Sequence, residues 1–174
     1  MAANKGKKFE RQFKESAEND GLFVLRLNDT DLSFNGNEHS RFTLKNPYDF
    51  LIYNYPNIFC LELKSSCYSS IGIQRSPKEP EKMIKFHQIN SLVQASTKEG
   101  VYAGFVLNFR NDETLEEETY FLKIKDFCDF LIENDKKSIN KADVKKYNGI
   151  LIEQKKKRTL YTYNIKKMVE DIKN

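Results

Sequence analysis

Two runs of β-forming residues, separated by a short turn, constrain the fold of this chain more than any other part of its sequence. Residues 48–54 read YDFLIYN, and residues 57–65 read NIFCLELKS. Both runs are rich in aromatic and aliphatic residues, and Tyr55 and Pro56 between them are typical of a turn. We therefore predict that the two runs pair as antiparallel strands of a hairpin.

Helix-like and strand-like patterns alternate along the rest of the chain. Phe9, Phe13 and Ala17 recur every four residues, which predicts a helix with Asn4 as its N-cap and its end near Asn19. This order of patterns predicts a single α/β domain in which helices flank a central mixed β-sheet. The other predicted elements are a strand at 22–27, a helix at 81–96, strands at 101–109 and 119–124, a helix at 124–134 and a hairpin within 148–165.

Two segments lack a regular pattern. Residues 28–46 are polar without sustained periodicity, so they predict a loop in which Asn35 and Gly36 form a turn. Pro77 and Pro80 argue against regular structure between the hairpin and the second helix. We expect irregular backbone in both segments.

Composition narrows the class of protein. A chain of 174 residues suits one domain with a sizeable core. No apolar run approaches the roughly 20 residues of a membrane span, and the start of the chain lacks the apolar stretch of a secretory signal. We therefore expect a cytoplasmic protein with no membrane partner. The three cysteines form no Cys-x-x-Cys pair, which predicts buried or incidental thiols rather than a disulfide framework or a zinc cluster.

Positive charge is concentrated near the C-terminus. From Lys136 to Lys167 the sequence has eleven Lys and Arg but only two acids, Asp143 and Glu153, although the net charge of the whole chain is +4. Such a basic segment is typical of contact with nucleic acid, and equally typical of a solvated surface that keeps a protein soluble. We divide the single domain into a core of residues 1–135 and a basic extension of residues 136–174.

The second strand of the predicted hairpin carries two opposite charges, Glu62 and Lys64. Alternate side chains of a strand share a face, so these two converge on one spot, and Asp49 on the partner strand can lie beside them. Two carboxylates with an ammonium suit a Mg²⁺ site that acts on phosphate. A Glu-x-Lys tripeptide is also often a solvent-facing ion pair that contributes little. The acid 13 residues before Glu62 favours the metal site.

These residues resemble a known nuclease signature. Pro47-Tyr48-Asp49 followed by Glu62-Leu63-Lys64 is similar to the PD-(D/E)xK motif of the restriction-endonuclease-like nucleases. The stretches KGKKFERQF and GLFVLRL resemble the opening helix and strand of Holliday junction resolvases. The 13-residue step between the acids, and His87-Gln88 on the following helix, resemble the RecU-type members of that group. The resemblance covers roughly residues 4–125.

The resemblance implies metal-assisted hydrolysis of DNA phosphodiester bonds, with Mg²⁺ as the cofactor and Mn²⁺ as a substitute. Asp49 and Glu62 would hold the ion together with the main-chain carbonyl of Leu63. Lys64 would orient or help to deprotonate the attacking water. Glu10 would bind the metal through water or support Lys64. A helix acid at this position can equally be a surface group paired with a lysine four residues on.

The resemblance also implies partners. The substrate would be branched DNA, above all the four-way junction, and symmetric cleavage of two strands implies a homodimer. Two alternatives stay open: another nuclease of this fold that cuts linear or single-stranded DNA, and a non-catalytic DNA-binding protein whose surface would include Tyr147, Tyr161 and Tyr163. The expected DNA contacts near the site are Lys5, Lys7, Lys8, Arg26 and Gln88.

Overall fold

The computed structural model describes residues 2–27, 30–33, 41–44, 46–114, 116–158 and 160–173. Its centre is a six-stranded sheet with neighbouring strands in the order β1 (Phe23–Arg26), β4 (Phe50–Asn54), β5 (Asn57–Ser66), β7 (Val101–Asn111), β8 (Glu116–Lys123) and β10 (Ile150–Leu151). Strands β5 and β7 run parallel, and the other neighbours are antiparallel, so the sheet is mixed as predicted.

Helices cover both faces of this sheet. Helices α1 and α5 pack on one face, where Phe9, Phe13 and Ala17 are buried as the sequence predicts. Helices α2 and α3 cover the other face, so the sheet lies between two apolar layers. The five helices of the described chain are α1 (Ala2–Asn19), α2 (Phe86–Ser96), α3 (Ile124–Glu133), α4 (Lys141–Lys146) and α5 (Ile165–Lys173).

The predicted hairpin is confirmed. Strands β4 and β5 pair antiparallel, with Phe50 opposite Leu61 and Asn54 opposite Asn57. Strand β5 is the longer of the two and continues to Ser66, beyond the start of β4. This difference in length leaves an open stretch of β5 edge, and the candidate site lies there.

The stretch 28–46, predicted as a loop or excursion, contains regular structure in its described residues, which the sequence pattern did not indicate. Strands β2 (Thr30–Ser33) and β3 (Arg41–Leu44) form an antiparallel pair. Four backbone pairs suffice for such a ribbon, and β-favouring residues such as Thr30 and Phe42 supply local preference without a long periodic pattern. The turn predicted at Asn35 and Gly36 lies outside the described residues.

Two helix starts differ from the predictions. Helix α1 already includes Ala2, so Asn4 lies inside it rather than at its N-cap. Helix α2 begins at Phe86 rather than near residue 81. Tertiary pairing holds the preceding backbone extended, because the Ile84 N–H donates to the Gly72 carbonyl at 2.9 Å.

The segment around the prolines also contains β6 (Ser70–Gly72), which pairs with β9 (Ser138–Asn140).

The basic segment is integrated into the fold. Its predicted hairpin is present as β11 (Gln154–Lys157) and β12 (Leu160–Tyr163), while β10 joins the edge of the central sheet. All three cysteines are free thiols. No helix in the described ranges is long and apolar enough to cross a membrane.

Candidate active site

The site is built on the open edge of β5. Asp49 lies just before β4, and its N–H donates to the carbonyl of Leu61 at 3.1 Å, which extends the pairing of the two strands by one residue. The Leu63 N–H then donates to Oδ2 of Asp49 at 2.8 Å. The side chain of Asp49 thus takes the place that a further β4 residue would occupy, and its carboxylate is fixed at the edge of β5.

Glu62 and Lys64 form a buried ion pair beside Asp49. Lys64 Nζ lies 2.7 Å from Glu62 Oε1. The Glu62 side chain is 2% exposed and the Lys64 side chain 14% exposed. These values exclude the interpretation of the Glu-x-Lys sequence as a solvent-facing pair.

Gln88 fixes Glu62 from the opposite side. Its Nε2 donates to the same oxygen, Glu62 Oε1, and its own Oε1 accepts the Lys85 N–H at 2.9 Å at the start of α2. The amide is therefore held at both ends. The structure thus places Gln88, which the sequence analysis assigned to DNA binding, in contact with the acid of the Glu-x-Lys motif.

Glu10 reaches the same site from α1. Its carboxylate pairs with Arg26 of β1. Lys14, the alternative partner four residues on, pairs instead with Glu18 at 3.0 Å. Burial raises the pKa of Glu10, and the charge of Asp49 raises it further, while Arg26 and Lys64 lower it. Glu10 is therefore close enough to Asp49 for their charges to interact.

The pKa values of the two acids at the β5 edge, Asp49 and Glu62, are both raised. Burial raises the pKa of Glu62 to about 7, with Lys64 opposing the shift and Asp49 adding to it. Burial also raises the pKa of Asp49, although the Leu63 N–H, Lys64 and Arg26 all favour its charged form. Two desolvated acids in contact form a site in which an added positive charge is strongly favoured.

The donor atoms at this edge fit Mg²⁺. Carboxylate and carbonyl oxygens are the ligands that this ion prefers, and it commonly uses only one or two carboxylates. The Leu63 carbonyl lies on the same edge of β5 as its N–H, which contacts Asp49, because a strand residue presents both groups to one side. Among the described side chains, no set of three or more His, Cys, Asp and Glu residues is arranged to hold a metal. Asp49, Glu62 and the Leu63 carbonyl thus form the candidate ligand set, without Glu10.

The predicted basic residues lie in three different surroundings. Lys5 and Lys8 line a cavity on the α1 side of the sheet, and Lys5 Nζ contacts Asp112 at 2.8 Å. Lys7 is exposed. Arg26 forms an ion pair with Glu10, and its charge also interacts with that of Asp49.

Sequence reasoning missed Arg110. Its Nε donates to Ser65 Oγ at 2.8 Å; Ser65 directly follows Lys64 in the chain, and its side chain lies on the α1 face of the sheet, opposite that of Lys64. Only the parallel register of β5 and β7, in which Ser65 lies opposite Asn108, brings Arg110 to this position. No local signal in the sequence could have indicated it.

The aromatic surface suggested for a non-catalytic DNA-binding protein is not present as predicted. Tyr147 and Tyr163 belong to the buried core. The Tyr163 hydroxyl donates to Glu117 Oε1 at 2.5 Å, which explains why a polar aromatic residue is tolerated there. Of the three tyrosines, Tyr161 remains partly exposed.

The mixed sheet with helices on both faces defines a restriction-endonuclease-like α/β fold of the resolvase kind, as predicted. A solved structure with this fold is that of Hjc, a Holliday junction resolvase from the archaeal hyperthermophile Archaeoglobus fulgidus. The match has a TM-score of 0.53 and 15% sequence identity, and it covers 84% of this chain and 95% of that chain.

No protein-family model matches the sequence. The chain is 30% identical over 182 aligned positions to the SPbeta prophage-derived uncharacterized protein YotM of Bacillus subtilis (strain 168). The alignment covers 98% of this chain and 88% of that protein. The chain therefore belongs to the same family as that prophage-derived protein.

Proposed function

We propose that this protein is a metal-dependent DNA endonuclease, specifically a Holliday junction resolvase of the RecU type that acts in recombination and repair. The observation that carries the proposal is the burial of the Glu62–Lys64 ion pair beside a second desolvated acid, Asp49. Desolvating charges commonly costs more than their attraction returns, so this arrangement serves stability poorly. It suits catalysis on a phosphate.

Three groups would hold the metal, with Mg²⁺ as the ion and Mn²⁺ as a substitute. These are the carboxylates of Asp49 and Glu62 and the main-chain carbonyl of Leu63. When bound, the ion supplies positive charge for the scissile phosphate and for the water that attacks it. Gln88 and the Leu63 N–H keep the two carboxylates in position, because each donates a hydrogen bond to one of them.

Lys64 would act on the reacting atoms. Its ammonium, held at Glu62, can donate to the attacking water or to a non-bridging phosphate oxygen, and so stabilise the charge that develops as the new P–O bond forms and the old one breaks. Glu10 would support this group from α1, because its charge interacts with that of Lys64. The water would attack the phosphorus atom from the side opposite the leaving oxygen, in line with the bond that breaks.

The substrate and assembly belong to the same proposal. Hjc, a solved structure with the same fold, is a Holliday junction resolvase, which favours branched DNA as the substrate. Resolution requires two symmetric cuts, so we propose a homodimer with one site in each subunit. The relative in Bacillus subtilis is prophage-derived, which fits a role in the recombination of a mobile element.

A substrate panel tests the proposal. The purified protein is incubated with a labelled immobile four-way junction, and with linear duplex, nicked duplex and single strands of the same sequences, in Mg²⁺ or in EDTA. We expect paired symmetric nicks on the junction in Mg²⁺ and none in EDTA. Cleavage of linear or single-stranded DNA in preference to the junction would contradict the resolvase function, and the absence of cleavage on every substrate would contradict the nuclease function.

A further inference from the structure

A cavity of about 250 Å³ lies between the first half of α1 and the β11–β12 hairpin. It is separate from the candidate catalytic residues, none of which lines it. Three acids of the β7–β8 hairpin, Asp112, Glu116 and Glu117, form part of its wall. Its basic lining consists of Lys5, Lys8, Arg110, Lys156 and Arg158.

The β11–β12 hairpin turns one face towards α1 and the other away from it. Gln154 lies opposite Tyr163, whose ring packs edge-on against Phe9 of α1 with centroids 5.7 Å apart. Alternate strand residues share a face, so Lys156 follows Gln154 on the α1 side and Lys155 and Lys157 are directed away. The hairpin therefore presents one set of basic side chains to the cavity and another to the outside.

Gln12 on α1 lines the same cavity and carries an unsatisfied donor. The residue is 5% exposed, and its Nε2 has no hydrogen-bond partner among the residues that the structure describes. A buried donor without an acceptor is uncommon in folded proteins and usually indicates a missing partner. An anion in the cavity would supply the acceptor.

Most of the acids on the cavity wall are already engaged. Asp112 contacts both Lys5 and Arg110, each at 2.8 Å. Glu117 accepts the Tyr163 hydroxyl, and burial raises the pKa of Glu117. With five basic side chains against three acids, the cavity has a net preference for anions.

Arg110 connects the cavity to the strand that carries the candidate active site, on the opposite face of the sheet from Glu62 and Lys64. Its guanidinium donates to Ser65 Oγ, and Ser65 directly follows Lys64 on β5. DNA whose scissile phosphate lies at Asp49 and Glu62 would therefore reach Arg110 and the cavity by passing round the end of β5 to the α1 face of the sheet. Basic side chains and amide donors are the usual contacts for backbone phosphates.

We propose that this cavity is a second phosphate-binding site, which holds a backbone phosphate of the bound DNA away from the scissile bond. The choice of DNA as the source of the phosphate rests on the proposed function. Lys156, Arg158 and Lys8 supply the charge, and Gln12 supplies a neutral hydrogen bond from the cavity wall.

Two double variants of the same hairpin test the charge. Lys156→Gln with Arg158→Gln removes two cations at the cavity, and Lys155→Gln with Lys157→Gln removes two from the outer face. Binding of a fluorescein-labelled four-way junction and duplex is measured by anisotropy in EDTA over a range of NaCl concentrations. Loss of the cationic contacts to this one phosphate should weaken binding about tenfold or more near 100 mM salt and reduce the steepness of log K against log[salt] by about one. The outer pair should weaken binding less than about threefold, since it loses only long-range attraction.

A neutral variant tests the same site without any change of charge. Gln12→Met removes the unsatisfied donor but keeps a side chain of similar length. We expect DNA binding to weaken about tenfold or more, the loss of one hydrogen bond to a charged group, with no fall in the urea midpoint of unfolding. Equal effects of the two double variants, or unchanged binding by Gln12→Met, would overturn the phosphate site.

These results are separable from the fate of the proposed function. Binding is measured in EDTA, so it does not depend on cleavage. One outcome is that the wild type cuts no DNA while the Lys156→Gln/Arg158→Gln variant and Gln12→Met bind DNA more weakly than the wild type does. In that case the nuclease proposal fails and the phosphate site stands. If the wild type cuts junctions while these variants bind like the wild type, the phosphate site fails and the nuclease proposal stands.

Discussion

Leu63 donates its main-chain N–H to the carboxylate of Asp49 at 2.8 Å, across the point where β4 begins and β5 continues. This hydrogen bond joins the two halves of the candidate site, since Glu62 and Lys64 flank Leu63 on β5. It also explains how an acid outside any strand is held rigidly.

Divalent metal should stabilise the fold. If Asp49 and Glu62 hold Mg²⁺, the ion binds the folded chain in preference to the unfolded one, and the free energy of unfolding should rise by about 2.7 kcal/mol at 100 times the Kd. Thermal unfolding in EDTA and in increasing Mg²⁺ measures this. Asp49→Ala should lose the stabilisation, while Asp135→Asn, an exposed acid outside the site, should keep it. Equal stabilisation of both variants would contradict the assigned ligands.

Gln88 should act on catalysis and not on DNA binding. Its amide holds Glu62, so Gln88→Ala should lower kcat for junction cleavage by about 10–100-fold, as for other outer-shell partners of metal ligands. The Kd for the junction in EDTA should change less than about twofold. A large rise in Kd with little change in kcat would instead restore Gln88 to the DNA-contacting residues.

Asp112 should restrain DNA binding. It pairs with both Lys5 and Arg110, so Asp112→Asn releases two cations towards the phosphate backbone. We expect binding to tighten about threefold beyond the effect of Glu113→Gln, which removes the same charge from the same hairpin tip. Anisotropy titrations at low salt measure the difference. Identical affinities of the two variants would show that the ion pairs do not limit access to Lys5 and Arg110.

Glu117 should make the fold less stable as the pH rises. Burial raises its pKa in the folded state, against hydrogen bonds from Tyr163 and Asn108 and the charges of Arg110 and Lys8, which lower it. The folded state therefore binds this proton more tightly than the unfolded chain does. Its contribution to stability is fully present below the ordinary carboxyl pKa and is lost as the pH rises through the raised value.

Glu117→Gln isolates this effect, because glutamine cannot ionise. Urea unfolding of the wild type and the variant from pH 4 to pH 8 should show the variant gaining in relative stability as the pH rises. A difference in free energy that is constant over this range, or that changes in the opposite direction, would contradict the raised pKa.

Local patterns in the sequence predict part of this structure well. The β4–β5 hairpin depends on a turn and on side-chain alternation within twenty residues, and the same alternation brings Glu62 and Lys64 to one face. The buried stripe of α1 is similarly local. These features can be read directly because the interactions that fix them lie close together in the chain.

Non-local pairing determines the rest. Arg110 reaches Ser65 only because β5 and β7 run parallel in one register, and α2 starts late because Ile84 pairs with backbone near Gly72. The β2–β3 ribbon has too few residues to produce a periodic signal. The contact between Gln88 and Glu62 depends on both the sheet and the helix packed on it. The sequence therefore indicates Gln88 as a candidate functional residue but does not predict its contact with Glu62.

The most direct test compares junction cleavage by the wild type with that by Asp49→Asn in Mg²⁺, using Asp135→Asn as the matched control and anisotropy to confirm that all three bind DNA. Asp49 would ligate the metal directly, so we expect the rate to fall by at least about 100-fold, the upper end for outer-shell partners, with binding retained. The control should cut like the wild type. Cleavage by Asp49→Asn at the wild-type rate would show that the buried acids and Lys64 on the edge of β5 are not the catalytic site.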